Sequence, residues 1–353
     1  MRWYAVLLLG ACAPSLGCSE SDRDPAEPTP PSELEQLLAD RMEEAAAAGF
    51  SGAVLVTVDH QRVITGGYGL ADREDGVAND ADTAFDVGSL LKDFTATAIF
   101  QLDQAGALAL SDPLSTVFAD VPADKADITL LEIVQHRAGF DEYHDTEGDF
   151  EPMTQAEARA HIFAQELLFP PGTDQAYSNS GYTLLADVVQ TVSGEAYTDY
   201  VRSHLFAAAG MEQSGFYSEA LWQTVDTAIG YDSGTFGDND PASWPYTWSL
   251  MGNGGLVSTV GDLDRWVTAL FGGQVLEPAA FELMDEEYLS SGSFELAGET
   301  AYAGAGAGDF GLGGVVIEVP ARGTRVIIAT NTYDVFDIES FALDLTTELL
   351  ERP

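Results

Sequence analysis

Apolar residues along this 353-residue chain fall into helical spacing, then strand runs, then a long helical middle and a return to strands. From Ser32 onward, Leu34, Leu37, Leu38 and Met42 recur at the spacing of an amphipathic helix, with Pro31-Ser32-Glu33 as its start. Gly52 to Val58 and Val63 to Tyr68 are apolar, β-branched runs separated by Asp59-His60-Gln61-Arg62, and they predict a hairpin. From Leu91 to about Leu270 the periodicity is mostly helical, broken by glycine and proline. The end returns to strands at Gly314 to Val319 and Arg325 to Thr330, with a turn at Pro320 to Gly323. A last helix carries Phe341, Leu343, Leu345, Leu349 and Leu350. Strands at both ends enclosing a helical insertion predict one sheet built from both termini, with the helical part packed beside it. There is no internal repeat.

Upstream of Ser32 the pattern changes. Arg2 followed by the apolar run Trp3 to Leu9 has the layout of a targeting segment and is too short to span a bilayer as a helix. Both cysteines lie here. Leu9-Gly10-Ala11-Cys12 fits the bacterial lipobox; Leu16-Gly17-Cys18 fits it less well at its first position but leaves a longer signal. The expectation is a lipoprotein or secretory signal over residues 1–18, with a lipid on Cys18 (alternatively Cys12). An acidic, proline-rich tether over 19–31 and a single domain over 32–353 follow. Such a protein is exported to the bacterial cell envelope, lipid-anchored, periplasmic or secreted, and meets the membrane only through its N-terminal lipid.

Composition narrows the partners. The formal net charge is −44, from 58 acidic and 14 basic residues. Nucleic acid and anionic membrane surfaces would repel such a chain. The acids are scattered and form no calcium-loop pattern. His60, His144, His161 and His204 lack ligand spacing, so no metal is expected. The sequence does not indicate an oligomeric state.

Two short elements carry chemistry. Ser89-Leu90-Leu91-Lys92 opens the helical run that continues through Phe94 to Ile99, and Lys92 is one of only two lysines in the chain. Residues three apart on a helix share a face, so the amine can reach the hydroxyl. The helix N-terminus also favours an alkoxide and a nearby oxyanion. Free lysine is a poor base at neutral pH, so burial must lower its pKa. In Tyr177-Ser178-Asn179, a tyrosine beside that pair can pass a proton between nucleophile and leaving group, and the asparagine amide can hold a substrate carbonyl.

Together, in this order, the two elements resemble the serine β-lactamase and penicillin-binding-protein superfamily, including class C β-lactamases, DD-peptidases and family VIII esterases. The resemblance extends from about Phe50 to Thr332. It is supported by Phe85 to Lys92, Leu110-Ser111-Asp112-Pro113-Leu114, Ile128 to Leu131 leading to His136-Arg137-Ala138-Gly139, Gly210-Met211-Glu212 and Gly254 to Leu263. It implies a mixed α/β (α+β) fold: an antiparallel sheet from both termini flanked by helices, plus an all-helical subdomain with the site in the cleft between. It also implies acyl transfer by Ser89 on a small-molecule ester or amide or a peptide substrate, with no cofactor, Lys92 and Tyr177 moving protons and Asn179 orienting substrate. His136 is expected to be structural.

One landmark of the family is missing. Its third motif, a Lys or His followed by Thr, Ser or Gly and then Gly, aligns with Gly304 to Leu312, and Ala305 takes the place of the cation. No lysine follows Lys125 and no histidine follows His204; Arg322 and Arg325 are the nearest cations. Loss of one charge-assisted hydrogen bond, about 1.5–3 kcal/mol, weakens binding of a substrate carboxylate. Uncharged esters are less affected. The backbone N–H of Gly308 is expected to pair with that of Ser89 as an oxyanion hole, and the glycine-alanine run predicts an open or mobile site. The expected activity is a carboxylic-ester or amide hydrolase. The alternatives are a DD-peptidase or β-lactamase that tolerates Ala305, and a non-catalytic exported binding protein on the same fold.

Overall fold

The apolar runs near the two ends of the chain pair with one another. In a computed structural model, residues 32–142, 148–231 and 239–352 are described. The expected signal and tether, both cysteines and His144 lie outside them. Six antiparallel strands stand in the order Gln61–Tyr68, Gly52–Val58, Thr324–Thr330, Gly313–Val319, Glu299–Ala307, Ser293–Leu296. The first strand is thus hydrogen-bonded to one near the C-terminus, with Val54 opposite Ile328 and Leu55 opposite Ile327.

Alternation along these strands explains their continuous apolar character. Val54, Val56, Val326 and Ile328 face one side, where they pack with Leu38 and Met42 of helix Glu33–Ala47 and Leu345 and Leu349 of helix Ile338–Leu350. Ala53, Leu55, Ile327 and Ala329 face the other, toward Leu263, Trp266 and Val267 of helix Val260–Phe271. Both faces are covered, so no polar face survives in the sequence. Each large aliphatic side chain buried this way contributes about 1.5–3 kcal/mol. The helix starts where the sequence predicts, and Ser32 forms a capping box: its Oγ accepts from Glu35 N, and its own N–H donates to the Glu35 carboxylate.

The helical part packs on the second face. Helix Leu91–Gln104 lies against helix Asn179–Ser193, and Phe94, Ile99, Tyr182, Leu185 and Val188 join one core. Among the described residues, no helix is long and apolar enough to cross a membrane.

Two expectations are corrected. The hairpin turn is Asp59-His60 alone, both in left-handed conformation, while Gln61 and Arg62 pair with Val58 and Thr57. The glycine-alanine run is no open loop: Ala303 to Ala307 is paired residue by residue with Gly313 to Ile317. A three-stranded sheet of Phe85–Asp86, Leu256–Ser258 and Gly215–Phe216 also interrupts the helical middle, its strands too short to leave a periodicity. This sheet holds the entry to the serine.

Candidate active site

Ser89 leaves the sheet through a tight turn. Val87 N–H donates to Leu256 O, and Gly88 takes φ +50° before a 3₁₀ turn, Gly88–Leu90, runs into helix Leu91–Gln104. A Cβ on Gly88 would lie 2.1 Å from Ala307 O, so neither the backbone angle nor the space admits a side chain. Beneath the turn, buried Asp86 accepts from Gly88 N at 2.9 Å and from Tyr217 Oη at 2.7 Å. Ser89 thereby occupies the first helical turn, where N–H groups lack an intrahelical acceptor.

Lys92 follows one turn on, 4% exposed. Its Nζ donates to Ser89 Oγ at 3.0 Å and to Asn253 O at 2.6 Å, and lies 4.8 Å from the centre of the Tyr177 ring. Burial pulls its pKa from 10.5 down to about 7, against the opposing pull of Glu142, Asp149 and Asp93. Tyr177 stands at the rim and donates its hydroxyl to Ser89 Oγ at 2.7 Å. Burial of that end pushes its pKa up, so the phenol keeps its proton. Ser89 Oγ is therefore held between an amine able to lose a proton near neutrality and a phenol that keeps its own.

The second element sits at the start of helix Asn179–Ser193. Ser178 caps that helix, accepting from Gly181 N at 3.1 Å, and Asn179 N–H donates to the Glu142 carboxylate at 3.0 Å. His136, at φ +58°, places its ring 4.7 Å from that of Tyr177 and 4.9 Å from that of Tyr182, and its Nδ1 accepts Ser178 N–H. Burial lowers its pKa to about 4, leaving a neutral ring packed beside Tyr177. A cavity of about 100 Å³ adjoins the nucleophile; Ser89, Asn179, Asp149, Asp86, Ala307 and Asp309 are among its walls.

The third-motif strand corrects two residue assignments. Gly308 N–H donates to Leu312 O at 2.9 Å and is not available to an oxyanion. Strand residues turn their N–H groups to alternate edges, so Ala307 N–H, one residue earlier, points away from Gly313–Val319. That edge abuts the serine turn, because a Cβ on Gly306 would lie 2.6 Å from Ser89 N. Ala305 is exposed on the opposite face; the position facing the Ser89–Lys92 helix is Gly304, whose Cβ would lie 3.0 Å from Leu90 Cδ2 and 3.4 Å from Asp93 Oδ2. The cation is absent in either alignment. Neither nearby arginine replaces it: Arg322 pairs with Glu299, and Arg325 with Glu318 and Asp264.

Sequence reasoning missed Asn253, Glu142, Asp86 and Tyr217. Asn253 acts through its carbonyl, which no side-chain pattern reports, although it immediately precedes the Gly254-Gly255 landmark. Asp86 lies within the Phe85 to Lys92 stretch but carried no separate signal.

Fold and site together define a class of protein: a two-terminus antiparallel sheet beside a helical layer, with a serine, a lysine one turn on and a facing tyrosine in the cleft. The family model described as Beta-lactamase matches residues 34–336, and the chain belongs to that family. It is 31% identical over 239 residues to the putative penicillin-binding protein PbpX of Bacillus subtilis (strain 168), covering 67% of this chain and 59% of that protein. To the D-alanyl-D-alanine-carboxypeptidase/endopeptidase AmpH of Escherichia coli (strain K12) it is 26% identical, covering 72% of this chain and 66% of the other. The chain spans less than two thirds of the length of either relative. The D-amino acid amidase structure from Ochrobactrum anthropi SV3 shares the fold, with a TM-score of 0.77 at 20% identity over 91% of this chain and 99% of that one.

Proposed function

We propose that this chain is an exported serine hydrolase that forms an acyl-enzyme at Ser89 and acts on carboxylic esters or amides. The observation that carries this is Ser89 Oγ, held 3.0 Å from Lys92 Nζ and 2.7 Å from Tyr177 Oη, with the lysine pKa brought to about 7.

Neutral Lys92 takes the Ser89 proton as Oγ attacks the substrate carbonyl carbon. The resulting oxyanion lies between the N–H groups of Ser89 and Ala307. As the carbon–leaving-group bond breaks, Tyr177 Oη gives its proton to the departing oxygen or nitrogen and recovers one from the Lys92 ammonium. Water then attacks the acyl carbon, its proton passing to Lys92, and Ser89 regains its hydrogen. Asn179 orients the acyl group. No step needs a metal or cofactor.

A second reading, a cell-envelope DD-peptidase or β-lactamase, draws support from the names of PbpX and AmpH. The lack of a cation at Gly304 or Ala305 weighs against it, because a peptide carboxylate would enter a cleft walled by Asp86, Asp149 and Asp309. A binding protein would have no use for a lysine buried against a serine. Export and anchoring rest on residues 1–18, and lipid on Cys18 (alternatively Cys12) is tested by metabolic palmitate labelling of C18S and C12S.

The catalytic reading is tested by intact-mass spectrometry of the full chain with a fluorophosphonate probe, beside Ser89→Ala. A single adduct that S89A lacks is expected. A folded wild-type protein that forms no adduct refutes it.

A further inference from the structure

Among the described residues, Asp309 has no charged or hydrogen-bonding partner for its carboxylate. It follows the Glu299–Ala307 strand in a turn where Phe310 takes φ +56° and Gly311 φ +83°. That turn is pinned by the Phe310 ring, 5.9 Å from the ring of Phe150 and 5.3 Å from that of Trp244. The geometry sends Asp309 into the wall of the Ser89 cavity. Asp86, on the same wall, is satisfied by Gly88 N–H and Tyr217 O–H. The Asp309 carboxylate accepts no hydrogen bond and joins no ion pair among the described residues. Burial and its neighbours Asp149 and Asp86 raise its pKa to about 7, which reports the same missing counter-charge. No lysine or arginine is among the described residues that line this cavity.

On the acyl-enzyme reading, this cavity is the place for the acyl half of the substrate. The leaving group must meet Tyr177, which supplies its proton, and Tyr177 is not among the described lining residues; Asn179 and Asp309 are. Asp309 also lines this cavity together with Ser89 and with Ala307, the donor proposed for the oxyanion, so a group next to the carbonyl carbon shares the cavity with its carboxylate.

We infer that Asp309 is a specificity-determining residue that selects acyl donors carrying a free ammonium beside the scissile carbonyl, as in amino-acyl esters and amides with an unblocked amino group. This rests on the acyl-enzyme reading above. The ammonium supplies the missing donor and the missing positive charge at once, whereas an N-acylated analogue leaves Asp309 as it is.

The test is protection of Ser89 from the fluorophosphonate probe in the full-length protein at pH 7. The protectants are alaninamide and N-acetylalaninamide, each as both enantiomers. Alaninamide of at least one hand is expected to halve the labelling rate at a concentration at least tenfold lower than its acetylated counterpart. Asp309→Asn is expected to bring the two concentrations together, and Asp309→Glu to restore part of the gap. Equal protection by both compounds, better protection by the acetylated one, or protection by neither overturns the inference while Ser89 still labels. So does a gap that D309N leaves unchanged. A wild-type protein that does not label refutes the hydrolase reading instead. The wild-type comparison needs no variant, so misfolding of D309N does not rescue the idea.

Discussion

On the acyl-enzyme reading proposed above, the reactivity of Ser89 is set by the charge state of Lys92, and the lysine's pKa gives that dependence a midpoint. With its ordinary pKa of 10.5, about one lysine in 3,000 would be neutral at pH 7. With the pKa at about 7, roughly half are neutral, a gain of about three orders of magnitude in competent base. The rate of fluorophosphonate labelling should therefore rise with a midpoint near pH 7 and fall about tenfold for each unit below it. Glu142 holds the pKa up through space, so Glu142→Gln, which keeps an acceptor for Asn179 N–H, should move the midpoint to lower pH. The same shift has a stability consequence. Between about pH 7 and 10.5 the unfolded chain holds a proton on this amine that the folded chain has released. Folding stability from this residue accordingly rises with pH across that window, by at most about 1.4 kcal/mol per unit, and its penalty is complete below pH 7. Lys92→Met should abolish labelling and flatten that slope in chemical denaturation measured against wild type. A labelling profile that climbs only near pH 10, or equal slopes for wild type and K92M, would refute the reasoning.

Three further outcomes follow from distances at the site. Tyr177→Phe should lower kcat on an anilide, whose leaving nitrogen needs a proton, by about 10²–10⁴. It should slow fluorophosphonate labelling much less, because fluoride departs without one; steady-state and labelling rates measured side by side check this. Gly306→Ala places a Cβ 2.0 Å from Val87 O and 2.6 Å from Ser89 N, both main chain, and should cost about 2 kcal/mol or more in denaturant unfolding and depress labelling together. Gly304→Lys should introduce the absent cation beside Asp93, since Gly304 and Asp93 border a common cavity of about 200 Å³ and only Leu90 Cδ2 must yield. Acylation by benzylpenicillin, followed by intact mass, should then increase about tenfold or more.

How far the chain could be read in advance depended on whether a feature was local. The helix at Leu34 to Met42, the strands at Gly52 and Arg325, and the Ser89–Lys92 pair each rest on contacts within a few residues or on a period. Their residue types stated them directly. Tyr177 and Asn179 were legible by resemblance, their spacing in the chain carrying no geometry of its own. The third-motif strand was recognisable in position but not in register. Ala303 to Gly308 has no hydrophobic alternation to say which residue faces the helix, and a slip of one residue exchanges the two faces.

The amino-acid order by itself determined that the ends of the chain form one sheet, that a serine and a lysine share a helical face, and that no cation follows them on the third-motif strand. Only the tertiary structure decided what those groups become. Lys92 nears neutrality because burial outweighs the opposing pull of surrounding carboxylates. Gly308 is lost as a donor because Leu312 O takes its N–H, and the proposed oxyanion donor moves to Ala307 because strands alternate. The role inferred for Asp309 depends on a cavity wall it shares with Asp86, Asp149 and Asn179, each more than 120 positions away. Periodicity and spacing are properties of neighbours along the chain, whereas burial, register and charge environment belong to neighbours in space.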